Sequence, residues 1–296
     1  MNLLITGAWR QALTYIEELQ KQHNVTFMQW ENETLPCEYD WVEGVIGNGI
    51  FLFHPIEKFK NLKYVQLISA GYDRVPMNYI QEHNIEIYNA KGVYSIPMAE
   101  FAIAGILQFY KHSEFFELNQ KKHEWKRNRE LQELNRKEVC IVGCGDVGRE
   151  CAKRFQAFGC HVNGVNRRVR EDFTYENFYK LESLKQVVKN ADIVVLTIAL
   201  TEETKHLIDR EVLESMKSTA ILVNLSRGEI VDTEALIESL PNIGGAVLDV
   251  FEEEPLSEES VLWEMENVIL TPHNSFVGDG NEERLNRLIF DNLGRR

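Results

Sequence analysis

The chain alternates short apolar runs with amphipathic segments from its first residues onward. Apolar runs of about four to eight residues predict buried strands, and apolar positions three and four residues apart predict helices. In the first 90 residues the predicted strands are Asn2–Thr6, Val25–Trp30, Trp41–Ile46, Tyr64–Ser69 and Ile85–Tyr88. Helices are predicted at Gln11–Gln22 and Pro76–His83. Because strands and helices alternate, this part of the chain should form a small α/β domain around a parallel sheet.

A second alternating series begins at Val139. Its predicted strands are Val139–Val142, His161–Val165, Ile193–Ile198, Ala220–Asn224, Gly245–Val250 and Val268–Leu270. Helices between them are predicted at Asp146–Phe158, Leu181–Asn190 and Thr233–Leu240. Six strands with intervening helices are typical of a doubly wound sheet.

Ile96–Glu117 predicts one long apolar helix between the two series, with Pro97 in its first turn. The segment is too apolar for a solvated linker. We therefore expect it to pack inside its own domain or against a second copy of the chain. A further helix is predicted near the C-terminus, from Arg284.

The chain has 296 residues, a net charge of −14 and an ordinary globular composition, 44% hydrophobic and 26% charged. This length predicts two domains. The negative charge argues against nucleic acid or an anionic membrane as a partner, because both attract basic surfaces. No apolar run reaches the roughly 18 residues of a membrane span, and the N-terminus lacks the basic region of a signal peptide. We therefore expect a cytoplasmic protein.

The five cysteines argue against a metal site. They are Cys37, Cys140, Cys144, Cys151 and Cys160. Their spacings match no zinc pattern. They are expected to be reduced residues that pack in and beside a buried strand.

A glycine-rich turn follows the strand Val139–Val142. Gly143, Gly145 and Gly148 form a G-x-G-x-x-G pattern between a strand and a helix, the context in which the pattern indicates dinucleotide binding. The first glycine permits the tight turn, the second lets the backbone approach a pyrophosphate, and the third allows close helix–strand packing. Leu4–Ala8 also enters a turn from a strand, but it has a single glycine and is interpreted as the first strand of the N-terminal domain.

The next strand ends in Asn166, Arg167 and Arg168, where an acidic residue would bind the ribose hydroxyl of NAD. Arginines at this point favour a 2′-phosphate and hence NADP(H) over NAD(H). In the alternative, the arginines, with Arg170, form a solvated turn and Glu171 reaches back to the ribose, with Asp172 behind it.

Three later strands end in polar residues, among them an arginine, a glutamate and a histidine. The segments are 222–232, 245–256 and 267–275, and they carry Arg227, Glu254 and His273. Ligands bind at the carboxyl ends of parallel strands, so these side chains should converge. An arginine fits a carboxylate and the adjacent carbonyl, and a histidine can protonate an alkoxide near neutral pH. The run Glu252–Glu254 leaves open which acid faces the histidine.

Together with the glycine turn, these segments resemble the D-isomer-specific 2-hydroxyacid dehydrogenase family, close to its glyoxylate/hydroxypyruvate reductases. Ser69–Asp73, which we call the substrate loop, is similar to the family's substrate-binding motif. Gly92–Glu100 and Thr197–Ile208 resemble its interdomain motif and its cofactor-side loop. The resemblance covers nearly the whole chain.

The resemblance implies a catalytic set of Arg227, Glu254 and His273. It implies substrate contacts from Asn48, Ala70, Gly71 and Arg227. The implied cofactor contacts are Gly143, Gly145, Asp146, Val147, Gly148, Asn166, Arg167, Arg168, Ile198, Ala199, Thr204, Leu225 and Asp249. The loop 47–53, which we call the pocket loop, contains no arginine for a phosphorylated substrate, so a small or apolar 2-keto acid is expected.

We therefore predict two doubly wound parallel-sheet α/β domains. Residues 93–274 should form a Rossmann cofactor domain, and residues 1–92 with 275–296 a smaller, flavodoxin-like substrate domain, with a cleft between them. The expected activity is reduction of a small 2-keto acid to the D-2-hydroxy acid by NADPH, in a homodimer. The alternatives are NAD-dependent oxidation of D-lactate or phosphoglycerate, and a non-catalytic dinucleotide sensor.

Overall fold

A computed structural model describes residues 1–168 and 174–294 of the chain. The described chain divides into two compact units. The first comprises Met1–Tyr94 and the C-terminal segment from Gly278, and the second comprises Ser95–Val277. The predicted boundaries, after residues 92 and 274, lie two and three residues before these observed ones.

The first unit contains a five-stranded, wholly parallel sheet. Its strands are β1 Asn2–Thr6, β2 Asn24–Met28, β3 Gly44–Gly47, β4 Tyr64–Leu67 and β5 Glu86–Tyr88. The order β2-β1-β3-β4-β5 is the flavodoxin-like order. The helices α1 Ala12–Leu19 and α2 Met77–Glu82 lie between strands along the chain. All four residues of β3 and of β4 are buried, as expected for strands covered on both faces.

The predicted strand Trp41–Ile46 was wrong in its first half. Tyr39–Trp41 forms a short 3-10 helix, and the strand begins only at Gly44. Two more short 3-10 helices, Ile50–Leu52 and Ile56–Lys58, follow β3 in place of a longer helix.

The second unit opens with two helices, whereas one long helix over Ile96–Glu117 was predicted. They are α3 Ser95–Tyr110 and α4 Ser113–Lys121. His112 separates them in the left-handed conformation, with φ of 48°, which no α-helix can contain. α3 packs inside its own unit: a Cβ atom at Gly105 would lie 2.8 Å from Val247 Cγ1. The absent side chain lets α3 approach the sheet of this unit closely.

The sheet of the second unit has seven parallel strands. They are β6 Glu138–Val142, β7 His161–Asn166, β8 Asn177–Lys180, β9 Ile193–Leu196, β10 Ile221–Asn224, β11 Gly245–Leu248 and β12 Val268–Leu270. Its helices are α5 Asp146–Ala157, α6 Leu184–Val188, α7 Arg210–Ser215 and α8 Thr233–Ser239. The strand order is β12-β11-β10-β9-β6-β7-β8. The prediction of six strands was wrong because β8, a short edge strand with mostly polar or exposed residues, carries no apolar run.

The order of this sheet reverses between β6 and β9, since the chain runs from β6 to β7 and β8 on one side and returns to β9 on the other. This topological switch is where open α/β sheets bind ligands, outside the carboxyl ends of the strands. The glycine turn begins there, directly after β6.

The last helix, α9 Asn281–Leu293, belongs to the first unit. Trp9 Nε1 donates to Asn286 Oδ1 at 2.7 Å, and Asn292 Nδ2 donates to Gln66 Oε1 at 2.8 Å. These buried hydrogen bonds fix α9 to the sheet. None of the described helices is both long enough and apolar enough to cross a membrane.

Candidate active site

The glycine turn has the shape that a dinucleotide requires. Gly143 has φ of 98°, and a Cβ atom there would lie 2.3 Å from the main-chain nitrogen of Ile198. A Cβ atom at Gly148 would lie 2.2 Å from Gly143 O, so these two positions exclude any side chain. Gly145 precedes α5, and no described atom lies within 4 Å of its Cβ position. The open side of Gly145, beside the N–H groups of a 12-residue helix, fits a pyrophosphate.

The loop after β9 is fixed against this turn. Thr197 Oγ1 donates to Gly143 O at 2.5 Å. Further along, the buried Thr204 Oγ1 donates to Ala199 O at 2.8 Å and accepts from Thr201 N at 2.7 Å. The predicted cofactor residues Ile198, Ala199 and Thr204 therefore lie on an ordered loop at the same sheet edge. Leu225, buried, follows the neighbouring strand β10.

The arginines after β7 are exposed. Arg167 Nη1 lies 3.6 Å from Glu203 Oε2, and both side chains are more than half exposed. Arg168 is also exposed. The residues named in the alternative interpretation of this turn, Arg170, Glu171 and Asp172, lie outside the described part of the chain.

Arg227 follows β10 and is half-buried. Its Nη1 donates to Ser226 O at 2.7 Å, and Asn224 Nδ2 donates to Arg227 O at 3.0 Å. The next residue, Gly228, has no room for a side chain, because a Cβ atom would lie 1.8 Å from the carbonyl carbon of Phe251. The loop with Arg227 and the loop after β11 are therefore in direct main-chain contact.

His273 and Glu254 form a hydrogen-bonded pair. His273 Nδ1 lies 2.8 Å from Glu254 Oε2, and the side chains are 41% and 35% exposed. Glu254 Oε1 accepts from the main-chain N–H of Phe251 at 3.1 Å. β10, β11 and β12 are neighbours, so Arg227, Glu254 and His273 follow three adjacent strands.

The structure distinguishes between the acids of the run Glu252–Glu254. Glu252 faces another histidine: its Oε2 lies 3.0 Å from His206 Nε2, and its Oε1 accepts from Thr233 N at 2.9 Å. Partial burial raises the pKa of Glu252, but the hydrogen bonds from Thr233 and His206 outweigh it, so the pKa is lowered overall. Glu254 is thus the acid that meets His273, and His206 has an ionic partner that its sequence context did not indicate.

Asp249 is fully buried at the end of β11. Its carboxylate accepts three hydrogen bonds from the segment that carries His273: from Thr271 Oγ1 at 2.6 Å, Asn274 N at 2.8 Å and Ser275 N at 2.9 Å. The carboxylate thus holds the His273 loop, a role that no sequence motif indicated. The predicted cofactor contact of Asp249 stays a prediction.

The predicted substrate residues of the first unit lie on loops after β3 and β4, which are neighbours in the sheet. Asn48 lies on the pocket loop, and Ala70 and Gly71 lie on the substrate loop. Neither main-chain N–H of Ala70 or Gly71 donates a hydrogen bond within the described structure. Sequence reasoning missed Glu31: its carboxylate accepts from Asn48 N at 2.6 Å and Gly49 N at 2.7 Å.

The cysteines have no catalytic setting. Cys140, Cys144, Cys151 and Cys160 are buried, and no cysteine of the described chain forms a disulfide bond. Burial raises the pKa of Cys160 to about 11 and that of Cys151 to about 12, so both stay protonated thiols. Within residues 1–168 and 174–294, no three His, Cys, Asp or Glu residues are grouped to hold a metal ion.

Comparison with protein families matches residues 103–275 to the D-isomer specific 2-hydroxyacid dehydrogenase NAD-binding domain. The sequence is 32% identical over 286 residues to glyoxylate/hydroxypyruvate reductase A of Arabidopsis thaliana, covering 93% of this chain and 89% of the relative.

Two solved dehydrogenase structures are also similar to this chain. D-lactate dehydrogenase of Aquifex aeolicus, complexed with NAD and lactic acid, is 26% identical with a TM-score of 0.80 and covers 99% of this chain and 94% of its own. A D-isomer specific 2-hydroxyacid dehydrogenase of Xanthobacter autotrophicus Py2, in complex with NADPH and MES, is 26% identical with a TM-score of 0.79, covering 97% and 93%.

Proposed function

The chain belongs to the D-isomer specific 2-hydroxyacid dehydrogenase family, an NAD(P)-dependent enzyme family, and on that premise we propose that it reduces a small 2-keto acid to the D-2-hydroxy acid with NADPH. The observation that carries this proposal is the 2.8 Å pair of His273 and Glu254. The pair stands at the carboxyl ends of the strands next to that of Arg227, in the unit that contains the glycine turn.

Arg227 is the proposed cation for the substrate. Its planar guanidinium can donate two parallel hydrogen bonds, to the carboxylate and to the neighbouring keto oxygen. The hydrogen bond to the keto oxygen matters during reduction, because negative charge develops on the keto oxygen as the hydride arrives. The N–H groups of Ala70 and Gly71 and the amide of Asn48 are proposed as further contacts to the substrate.

His273 is the proposed proton donor to the developing alkoxide. Glu254 holds the imidazole through Nδ1 and thereby leaves Nε2 for the substrate. The reduction consumes a proton, which Nε2 would deliver to the alkoxide. The pair is thus suited to hold a proton at a defined atom until it is needed.

The glycine turn fits a dinucleotide, which when bound supplies the hydride. We propose that Gly143, Gly145 and Gly148, with the main chain of Asp146 and Val147, surround its phosphates. Ile198, Ala199, Thr204 and Leu225 are the proposed contacts along the rest of the cofactor, with Asp249 towards the nicotinamide.

Arg167 and Arg168, with Asn166, support NADPH, because an arginine attracts a 2′-phosphate. One observation favours the second candidate, NAD-dependent oxidation of a D-2-hydroxy acid: Glu203 lies 3.6 Å from Arg167 and offsets part of its charge. Solved relatives hold NAD in one case and NADPH in another.

A homodimer is part of the same proposal. The segment that begins with α4 exposes the large apolar side chains of Phe116, Leu118 and Trp125, and the relative exposure of Trp125 is 95%. Such a surface favours association. Light scattering coupled to size exclusion should give a mass of about twice the 34.4 kDa of the chain.

The test is a spectrophotometric assay of nicotinamide oxidation with NADPH and NADH in parallel. The substrates are glyoxylate, hydroxypyruvate, pyruvate, 2-ketoisocaproate and phenylpyruvate. We expect turnover with NADPH above NADH. Arg227→Ala should lower kcat/KM by orders of magnitude while NADPH binding, followed by fluorescence, persists. If the protein binds NADPH but reduces none of the five acids, it is either a dinucleotide-sensing protein or an enzyme for a 2-keto acid outside this panel.

A further inference from the structure

An arginine lies against the pocket loop, although that loop contains none of its own. The pocket loop follows β3, and the substrate loop follows β4, so both begin at the same edge of the sheet. Arg74 comes directly after the substrate loop. Its Cδ lies 3.4 Å from the position that a Cβ atom of Gly49 would occupy. The stem of Arg74 therefore lies beside Gly49 of the pocket loop.

The pocket loop cannot supply a cation at its first residue. A Cβ atom at Gly47 would lie 2.6 Å from Glu31 Oε1 and 3.1 Å from Thr6 Oγ1. Glu31 occupies this space because its carboxylate binds the main chain of the loop. A positive charge beside the loop thus has to come from a neighbouring segment, and Arg74 is placed to provide it.

Glu31 does not neutralise Arg74 through a direct contact. Its carboxylate accepts hydrogen bonds from Thr6 Oγ1, Asn48 N and Gly49 N. Within the described chain, Arg74 makes no hydrogen bond and no ion pair, and it is exposed. Its guanidinium therefore keeps its donors for a ligand.

A second donor lies on the same loop. The side-chain amide of Asn48 makes no hydrogen bond to the described residues, and its Oδ1 is buried whereas its Nδ2 is not. The side chain therefore offers its N–H donors to a ligand. A guanidinium and an amide donor on neighbouring segments suit an anionic group with several oxygens.

We infer that Arg74 binds a second anionic group of the substrate, so that the preferred 2-keto acids carry a carboxylate or sulfonate on C3. This inference rests on the proposed function. It changes the expectation of a small or apolar 2-keto acid, which was based on the pocket loop alone. Arg74 distinguishes substrates by what C3 carries.

The experiment compares oxaloacetate and 3-sulfopyruvate with pyruvate, which has the same three-carbon core without the second anion. For Arg74→Ala we expect kcat/KM to fall roughly tenfold or more with the two dianions and to change less than about twofold with pyruvate. Arg74→Lys should recover part of the loss, since it restores charge without the planar fork. The difference should shrink at high salt. The control is Lys21→Ala, which removes one exposed positive charge between α1 and β2. Lys21 precedes a strand, whereas the pocket loop follows the carboxyl end of one.

A binding measurement separates this inference from the proposed function. Calorimetric titration with D-malate and D-lactate, the products from oxaloacetate and pyruvate, reports the contact without turnover. Weaker binding of D-malate alone in Arg74→Ala supports the inference even if the wild-type protein reduces no acid, an outcome that would overturn only the proposed function. An equal loss for both ligands, or no loss for either, overturns the role of Arg74.

Discussion

The main-chain oxygen of Asp249 accepts a 2.8 Å hydrogen bond from the main-chain N–H of His273. His273 has φ of 49°, a left-handed conformation that residues other than glycine rarely adopt. The Asp249 carboxylate binds the residues on either side, from Thr271 to Ser275. Asp249 thus compensates the unfavourable conformation at His273 and fixes the direction of its imidazole.

Asp249→Asn should therefore act on catalysis through His273. In asparagine an NH2 group replaces one carboxylate oxygen. A hydrogen-bond donor of the His273 loop would then face another donor instead of an acceptor. Hydrogen bonds to a charged group contribute about 1.5–3 kcal/mol each, so we expect kcat to fall roughly tenfold or more. The dissociation constant of NADPH, measured by fluorescence titration, should change little. A large loss of NADPH affinity with unchanged kcat would contradict the role of Asp249 at His273 and leave it as a cofactor contact alone.

The sequence predicted both parallel sheets, because strands buried on both faces form continuous apolar runs, as in Ile193–Leu196. It did not predict β8, whose residues are exposed at a sheet edge, or the left-handed break at His112, which depends on tertiary packing. These features leave no periodic signal in one sequence.

The site was predictable to a similar extent. Arg227 and His273 stand in motifs, so their positions at neighbouring strand ends followed from the topology. The residues alone left three acids open in the run Glu252–Glu254, and the family resemblance selected Glu254. The structure places Glu254 against His273 and Glu252 against His206, a second contact that the sequence did not indicate. Glu31 lies far from its partners along the chain, in a segment without a motif.

Glu254→Gln and Glu252→Gln form a matched pair of variants. Both remove one carboxylate that faces a histidine, but only Glu254 faces His273. We expect Glu254→Gln to lower kcat roughly tenfold to a hundredfold, and Glu252→Gln to leave it within about twofold. A loss of kcat in Glu252→Gln as large as that in Glu254→Gln would contradict this assignment of the two acids.

Gly228→Ala and Gly145→Ala separate packing from cofactor binding. At Gly228 the new methyl group would overlap the main chain of Phe251, so the variant should lose about 3 kcal/mol of stability, or fail to accumulate. At Gly145 the Cβ position is open, so the melting temperature without cofactor should stay within about 2 °C. NADPH binding should nevertheless weaken in Gly145→Ala, because the methyl group occupies the approach to the phosphates. If the affinity for NADPH were unchanged in this variant, the cofactor would not bind at the glycine turn.

The cofactor preference is tested at the turn after β7. Replacing Arg167 and Arg168 together by alanine should lower the ratio of kcat/KM for NADPH to that for NADH roughly tenfold or more, because two cations that attract the 2′-phosphate are lost. Glu203→Gln should raise the same ratio, since the carboxylate 3.6 Å from Arg167 would no longer compete with the phosphate. Opposite effects of the two changes are specific to charge at this turn, and a general loss of stability would not produce them. A wild-type preference for NADH that neither variant alters would establish NAD as the cofactor and the arginine turn as a solvated surface loop.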